Sequence, residues 1–167
     1  MHYERAEWFP DGQRLLFTGN EPGRPLRTFI QNLSGGKPVP ITPEGIPALR
    51  ISPDSKYVAA PASDKLNLFP IAGGEPKTVA GLEPGESVIR WSGDGRSLFL
   101  RRSAEPAAVK IQRLDIANGH KEVWRELKTP DPVGVQIGQV LMTPDGSAYA
   151  YSFQRDISTL FLAKGLK

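Results

Sequence analysis

Trp91-Ser92-Gly93-Asp94-Gly95, followed by Ser97-Leu98-Phe99-Leu100, is one of four versions of a single pattern. The others are Trp8-Phe9-Pro10-Asp11-Gly12 with Arg14-Leu15-Leu16-Phe17, Ile51-Ser52-Pro53-Asp54-Ser55 with Tyr57-Val58-Ala59, and Met142-Thr143-Pro144-Asp145-Gly146 with Ala148-Tyr149-Ala150-Tyr151. The aspartates stand 43, 40 and 51 residues apart, close to the 40–45 residues of one four-stranded propeller blade. Each anchor has a mechanical role. Proline presets φ at the first central position of a turn, aspartate bonds its own backbone, and glycine accepts positive φ. With apolar runs on both sides, the pattern reads as strand, turn, strand. Asp11, Asp54, Asp94 and Asp145 are therefore read as turn formers rather than catalytic carboxylates.

A second anchor follows the first at each repeat. Gly35-Gly36, Gly73-Gly74, Asn118-Gly119 and Lys164-Gly165 come just after the apolar residues Leu33, Ile71, Ile116 and Leu162. Such pairs are two-residue hairpin signals, because both central residues need positive φ. They are not phosphate loops, since no helix follows them and no GxGxxG is present. One module thus reads strand A, Pro-Asp-Gly turn, strand B, variable loop, strand C, glycine hairpin, strand D. The fold class is all-β, a β-propeller of four antiparallel four-stranded blades at about 1–42, 43–80, 81–125 and 126–167. The last blade lacks its outer strand. A closed four-bladed ring, an oligomer completing a larger ring and an excerpt of a longer protein all fit this pattern.

These motifs resemble the WD-like repeats of TolB-type β-propellers, over nearly the whole chain. That resemblance implies a binding or scaffold module. Similar propellers occur in TolB, in the gating domains of prolyl-oligopeptidase-type peptidases and at the C-termini of bacterial receptor-like Ser/Thr kinases. The stretch 149–167, from Tyr149-Ala150-Tyr151 to Lys164-Gly165-Leu166-Lys167, is most similar to the tails of those kinases. The resemblance therefore implies a sensor or protein-interaction propeller within a larger bacterial receptor-type protein, on the extracytoplasmic or periplasmic side. The alternatives are a peptidase-gating propeller or a TolB-like periplasmic adaptor, and a cytoplasmic location stays open.

Composition agrees with the all-β reading. The 17 glycines and 16 prolines in 167 residues suit many short strands joined by turns. The formal net charge of +3 is spread out, and aromatics are 8%, so the clustered basic stripe with stacking rings that nucleic acid requires is missing. No cysteine is present, which excludes disulfides and thiolate chemistry. Met1-His2-Tyr3-Glu4-Arg5 carries no apolar leader, and no run is long enough for a membrane helix. His2 and His120 are isolated, and neither a Gly-x-Ser-x-Gly elbow nor a metal-ligand spacing occurs. The expectation is a chain without catalytic residues, metal or cofactor.

Strand direction places the B–C loops and D–A connectors on one face, which carries the length variation, including Arg125–Gly138. Binding residues usually occupy such loops over a rigid scaffold. Arg24, Arg27, Lys65, Arg101, Arg102 and Arg155 are the candidate contacts, accompanied by Glu21, Asp64, Glu105 and Asp156. They would meet a protein or a small polar ligand, or they are simply solvated loop charges. A homo-oligomer that closes the propeller edge is a further candidate partner. Trp8 and Trp91, at equivalent positions, are expected as core wedges between blades, and Trp124 as the aromatic of an outer strand.

Overall fold

A computed structural model describes residues 2–48, 50–62 and 65–159. The described residues form four antiparallel sheets in chain order. The first is β1 (His2–Trp8), β2 (Arg14–Asn20), β3 (Arg27–Asn32) and β4 (Val39–Pro40). The second is β5 (Tyr57–Ala62), β6 (Lys65–Pro70) and β7 (Lys77–Val79). The third is β8 (Glu86–Trp91), β9 (Ser97–Glu105), β10 (Ala108–Asp115) and β11 (Lys121–Lys128), and the fourth is β12 (Val135–Met142) with β13 (Tyr149–Arg155). Strands follow one another outward in sequence order within each sheet, the meander expected of a blade.

Among the described residues, the second sheet shows no full innermost strand. Its place is taken by a bridge between Ile51 and Val58 and by the bond from Ala59 N–H to the Arg50 carbonyl, 2.9 Å. Pro47 lies in this segment and has no N–H to contribute to a ladder. The fourth sheet shows two strands, and the expected hairpin at Lys164-Gly165 lies outside the described residues.

The four Pro-Asp-Gly turns are superimposable in their bonding. The residue three before the glycine position accepts its N–H: Gly12 to Phe9, Ser55 to Ser52, Gly95 to Ser92 and Gly146 to Thr143, at 2.8–3.0 Å. The glycine position has positive φ in every copy, from 58° at Ser55 to 73° at Gly146. The aspartate Oδ1 accepts the N–H two residues on, from Gln13, Lys56, Arg96 and Ser147. In three copies it also takes the hydroxyl of Ser52, Ser92 or Thr143. These bonds hold all four carboxyls below the ordinary aspartate range, Asp145 to about 2, with the Thr143 hydroxyl the main cause there. The aspartates are turn formers.

Blades pack face to face, and alternation along each strand supplies both faces. Leu16, Phe9 and Ile30 of the first blade meet Ile51, Val58, Ala60 and Phe69 of the second. Ala59, Leu66, Leu68 and Val79 of the second meet Trp91, Leu98, Leu100 and Leu114 of the third. Ile89, Phe99, Val109, Ile111 and Leu127 of the third meet Ile137, Val140 and Met142 of the fourth.

Three expectations change. Arg125–Gly138 is not a long loop: β11 runs on to Lys128 and β12 begins at Val135, so longer strands absorb most of the extra spacing. None of the described glycine pairs makes a two-residue turn: the pairing closes at Ile30–Val39 around Gly35-Gly36, at Leu68–Lys77 around Gly73-Gly74 and at Leu114–Lys121 around Asn118-Gly119. Asp115 N–H bonds the His120 carbonyl across a longer loop, and the Asp115 carboxylate caps the N–H groups of Ala117 and Asn118. Trp8 is 59% exposed while Trp91 is 4% exposed. The wedge at Trp91 points back onto the preceding blade, and none of the chain's described residues precedes the first blade.

Candidate functional site

In the first three repeats the residue immediately before the anchor lies where neighbouring blades converge. These are Glu7, Arg50 and Arg90, and they line one cleft of about 360 Å³ together with Trp8, Pro10, Pro53, Trp91 and Pro144. The cleft opens on the face of the Pro-Asp-Gly turns. A second cleft of about 310 Å³ approaches the same axis from the opposite end, lined by Glu4, Arg5, Ser87 and Val88, and shares Arg50 with the first.

Each of the three side chains reaches forward to the next blade. Glu7 accepts from the Ile51 N–H. Arg50 Nε donates to the Ile89 carbonyl, and Arg90 Nη1 donates to the Met142 carbonyl. Going the other way, Trp91 Nε1 donates to the Arg50 carbonyl at 2.9 Å. The position is therefore a staple between neighbouring strands A as well as the lining of the axis.

The electrostatics are strained by burial. Glu7 has its pKa raised, burial outweighing the opposing pull of Arg50, the Ile51 N–H and Arg90. Its Oε2 is buried without a hydrogen-bond partner among the described residues, with Arg50 Nη1 at 3.8 Å. Burial lowers the Arg50 pKa despite Glu7, and the neighbouring Arg5 and Arg90 add to the effect. The Glu7 carboxylate and the guanidiniums of Arg50 and Arg90 thus share one cleft with apolar walls.

Of the residues expected on B–C loops, only Arg24 stands in one; Arg27, Lys65, Arg101, Arg102 and Arg155 belong to β3, β6, β9, β9 and β13, and most of the six act as structural ties. Arg24 pairs with Glu44 at 2.6 Å and with Glu21 at 3.9 Å. Arg102 pairs with Glu83 at 2.6 Å, and Arg155 with Asp131 at 2.9 Å. Arg24 of the β2–β3 loop, Arg102 of β9 and Arg155 of β13 thus each reach an acid of a connector between blades, Glu44, Glu83 or Asp131. Arg27 donates to the Thr42 carbonyl at 3.1 Å and lies over the Phe29 ring. Arg101 donates to the carbonyls of Gly138 and Ile137, stapling the third blade to the fourth. Lys65 is exposed at the start of β6. Of the expected acidic companions, Asp156 accepts from Gln154, while Asp64 lies outside the described residues. Trp124 is wedged between blades, edge-on to Phe99 at 5.6 Å and to Tyr149 at 6.3 Å, with Arg125 over its ring.

The axial trio was not singled out by the repeat pattern, although the signal was present. Glu7-Trp8, Arg50-Ile51, Arg90-Trp91 and Leu141-Met142 occupy the same register, and a charged residue recurring inside the innermost strand is out of place unless it lines the axis.

Comparison with solved structures places the fold. TolB from Acinetobacter baumannii matches with a TM-score of 0.67 at 19% identity, over 92% of this chain and 41% of that one. A protein assigned as TolB from Agrobacterium tumefaciens matches at 0.65 and 17% identity, over 87% and 63%. A prolyl endopeptidase structure matches at 0.51 and 16% identity, over 92% of this chain and 24% of that one. The chain thus has the β-propeller fold and spans less than two thirds of the length of these structures. No family model and no curated protein matches it.

Proposed function

We propose that this chain is a non-catalytic binding module that takes a carboxylate-bearing segment of a protein partner in its axial cleft. The observation that carries this is that two arginines, Arg50 and Arg90, line one open, apolar-walled cleft. The repeat aspartates support a non-catalytic role, because hydrogen bonds within the turns engage each of them. The rim charges are matched locally by Glu44, Glu83 and Asp131, which leaves the axis as the better site for an acidic partner.

In the wider protein, this module would be the sensor or protein-interaction propeller of a bacterial receptor-type protein, on the extracytoplasmic side. A peptidase-gating propeller is the second reading, favoured by the likeness to a prolyl endopeptidase structure; an α/β-hydrolase domain on the same polypeptide would select it.

The test is fluorescence anisotropy with a fluorescein-labelled peptide rich in Asp and Glu, against the matching Asn/Gln peptide. Arg90→Gln should weaken binding about tenfold, the scale of one charge-assisted hydrogen bond. Glu7→Gln should strengthen it, and Arg102→Gln should leave it unchanged. Binding lost through Arg102 but indifferent to Arg90 would move the site to the variable face. Equal binding of both peptides would remove the acidic-partner reading.

A further inference from the structure

The second cleft, between the first three blades, holds two side chains of opposite charge that are otherwise unpaired. Glu4 and Arg5 both line it, and neither has a hydrogen bond or an ion pair among the described residues. Successive residues of a regular strand point to opposite faces. Here Glu4 is the extra residue of a β-bulge, since Tyr3 pairs with Gly19 and Arg5 with Thr18. The bulge lets an acid and the base next to it line one cleft. Ser87 and Val88 line it from β8, which is itself irregular between Val88 and Arg90. Bulges of this kind gather beside functional sites, where they re-aim side chains.

Thr18, 2% exposed, lines the same cleft, and its Oγ1 has no hydrogen-bond partner among the described residues. Native structures seldom leave a buried hydroxyl unpartnered, and a polar ligand group is one way to complete it. Arg50 also lines this cleft, but its Nε is bonded to the Ile89 carbonyl and its Nη1 lies 3.8 Å from Glu7. The charges left for a ligand are therefore those of Glu4 and Arg5. Pro47, Ala48, Ala59 and Pro61 supply small, apolar walls. At about 310 Å³, the cleft stands at the low end of small-molecule sites, roughly 300–1,000 Å³. A purely anionic ligand would be repelled by Glu4 and a purely cationic one by Arg5, whereas a small zwitterion satisfies both.

We propose that this cleft takes a free α-amino acid with a small side chain. The Glu4 carboxylate accepts from the ligand ammonium, the Arg5 guanidinium donates to the ligand carboxylate, and the side chain lies against the prolines and alanines. The site is separate from the one proposed above for an acidic segment, because Glu4 and Arg5 do not line that first cleft.

An amide-shift titration of the isotope-labelled full chain by nuclear magnetic resonance tests it, with L-alanine, propionate and alaninamide as probes. L-alanine should bind and move the amide signals of Arg5, Thr18 and Ser87. Propionate lacks the ammonium and alaninamide lacks the carboxylate, so each should bind about tenfold more weakly, the scale of one charge-assisted hydrogen bond. Glu4→Gln should weaken L-alanine about tenfold and propionate not at all, and Arg5→Gln should weaken L-alanine alike and alaninamide not at all. Both residues are exposed, so far-UV circular dichroism should stay that of the wild type; should either variant fail to fold, the three probes on the wild-type chain decide. The proposal is overturned by an absence of shifts with millimolar L-alanine, by equal affinity for the three probes, by shifts confined to Trp8 and Trp91 of the first cleft, or by folded variants that bind L-alanine as the wild type does.

Discussion

Ser55 occupies a backbone position that the other three repeats give to glycine, and exchanging residues at that position isolates the cost of a single dihedral. Its φ is 58°, the one positive φ outside glycine among the described residues. A left-handed conformation costs an L-residue about 1–2 kcal/mol. Glycine removes that cost but loses about 0.5–1 kcal/mol through its larger entropy in the unfolded chain. Ser55→Gly should therefore stabilise the protein by roughly 0.5–1 kcal/mol, a rise in Tm of about 1–4 °C for a chain of this size. The hydrogen bond from the Ser55 N–H to the Ser52 carbonyl, 2.8 Å, is untouched. The reverse exchange calibrates the result. At Gly12 an added Cβ meets nothing within 4 Å, so Gly12→Ser should cost only that dihedral term. At Gly146 the added Cβ would lie 3.1 Å from Trp124 Cζ2 and 3.3 Å from Phe99 Cζ, so Gly146→Ser should cost a further ~1–3 kcal/mol of overpacking. Urea unfolding followed by tryptophan fluorescence and far-UV circular dichroism gives all three values. The reasoning fails if Ser55→Gly destabilises, or if Gly12→Ser costs as much as Gly146→Ser.

Two further perturbations reach interactions of different kinds. Lys121 is 12% exposed and bonds Glu83 at 2.6 Å and the fully buried Glu86 carboxylate at 2.9 Å. Burial alone would lower the lysine's pKa, and its bonds to Glu83 and Glu86 outweigh that and raise it. Glu86→Ala strips the ammonium of its most buried partner and should cost about 3 kcal/mol, whereas the double exchange of Glu86 and Lys121 to leucine should cost much less; a double-mutant cycle by chemical denaturation reads the difference. The turn aspartates should make stability fall in acid. Their native pKa values lie below the unfolded ones, so their contribution is complete above pH ~4 and is lost as the pH drops toward the native value, about 2 for Asp145. Melting curves from pH 5 to pH 2 should show a shallower decline for Asp145→Asn than for the wild type, and identical slopes would contradict the assignment.

What the sequence made legible was the chemistry that acts over a few residues. Asp145 and Gly146 had the right roles because turn bonding is decided within five residues, and the apolar run Leu15-Leu16-Phe17 just after a turn marked a strand. What it misplaced depended on distant partners. Trp8 and Trp91 are the same letter in the same local phrase, yet one is buried and the other open, because burial there is conferred by the preceding blade and not by the strand itself. Arg125–Gly138 read as loop because a long spacing looks the same whether strands or connectors absorb it. Arg101 and Arg102 read as a basic pair, but their side chains diverge on alternate faces of β9, one to the Gly138 carbonyl of the next blade and one to Glu83 of a connector.

The two sets of arginines show why a count of exposed charges on propeller loops misjudges function. A connector between blades must pass beside the B–C end of a neighbouring strand, so an acid on the connector and a base on the loop neutralise each other at short range. Arg24 of its loop with Glu44 is one such pair, and Arg102 of β9 with Glu83 and Arg155 at the end of β13 with Asp131 reach connectors from strands. Exposed pairs of this kind contribute little stability each, but together they remove the field that would attract a partner to the loop face. At the axis the geometry runs the other way. Side chains at the ends of the innermost strands converge on one another, and burial raises the Glu7 pKa and lowers that of Arg50. Under the proposed reading, a carboxylate from a partner would gain more from Arg50 and Arg90 in this walled cleft, where the dielectric is low, than from the solvated arginines of the rim.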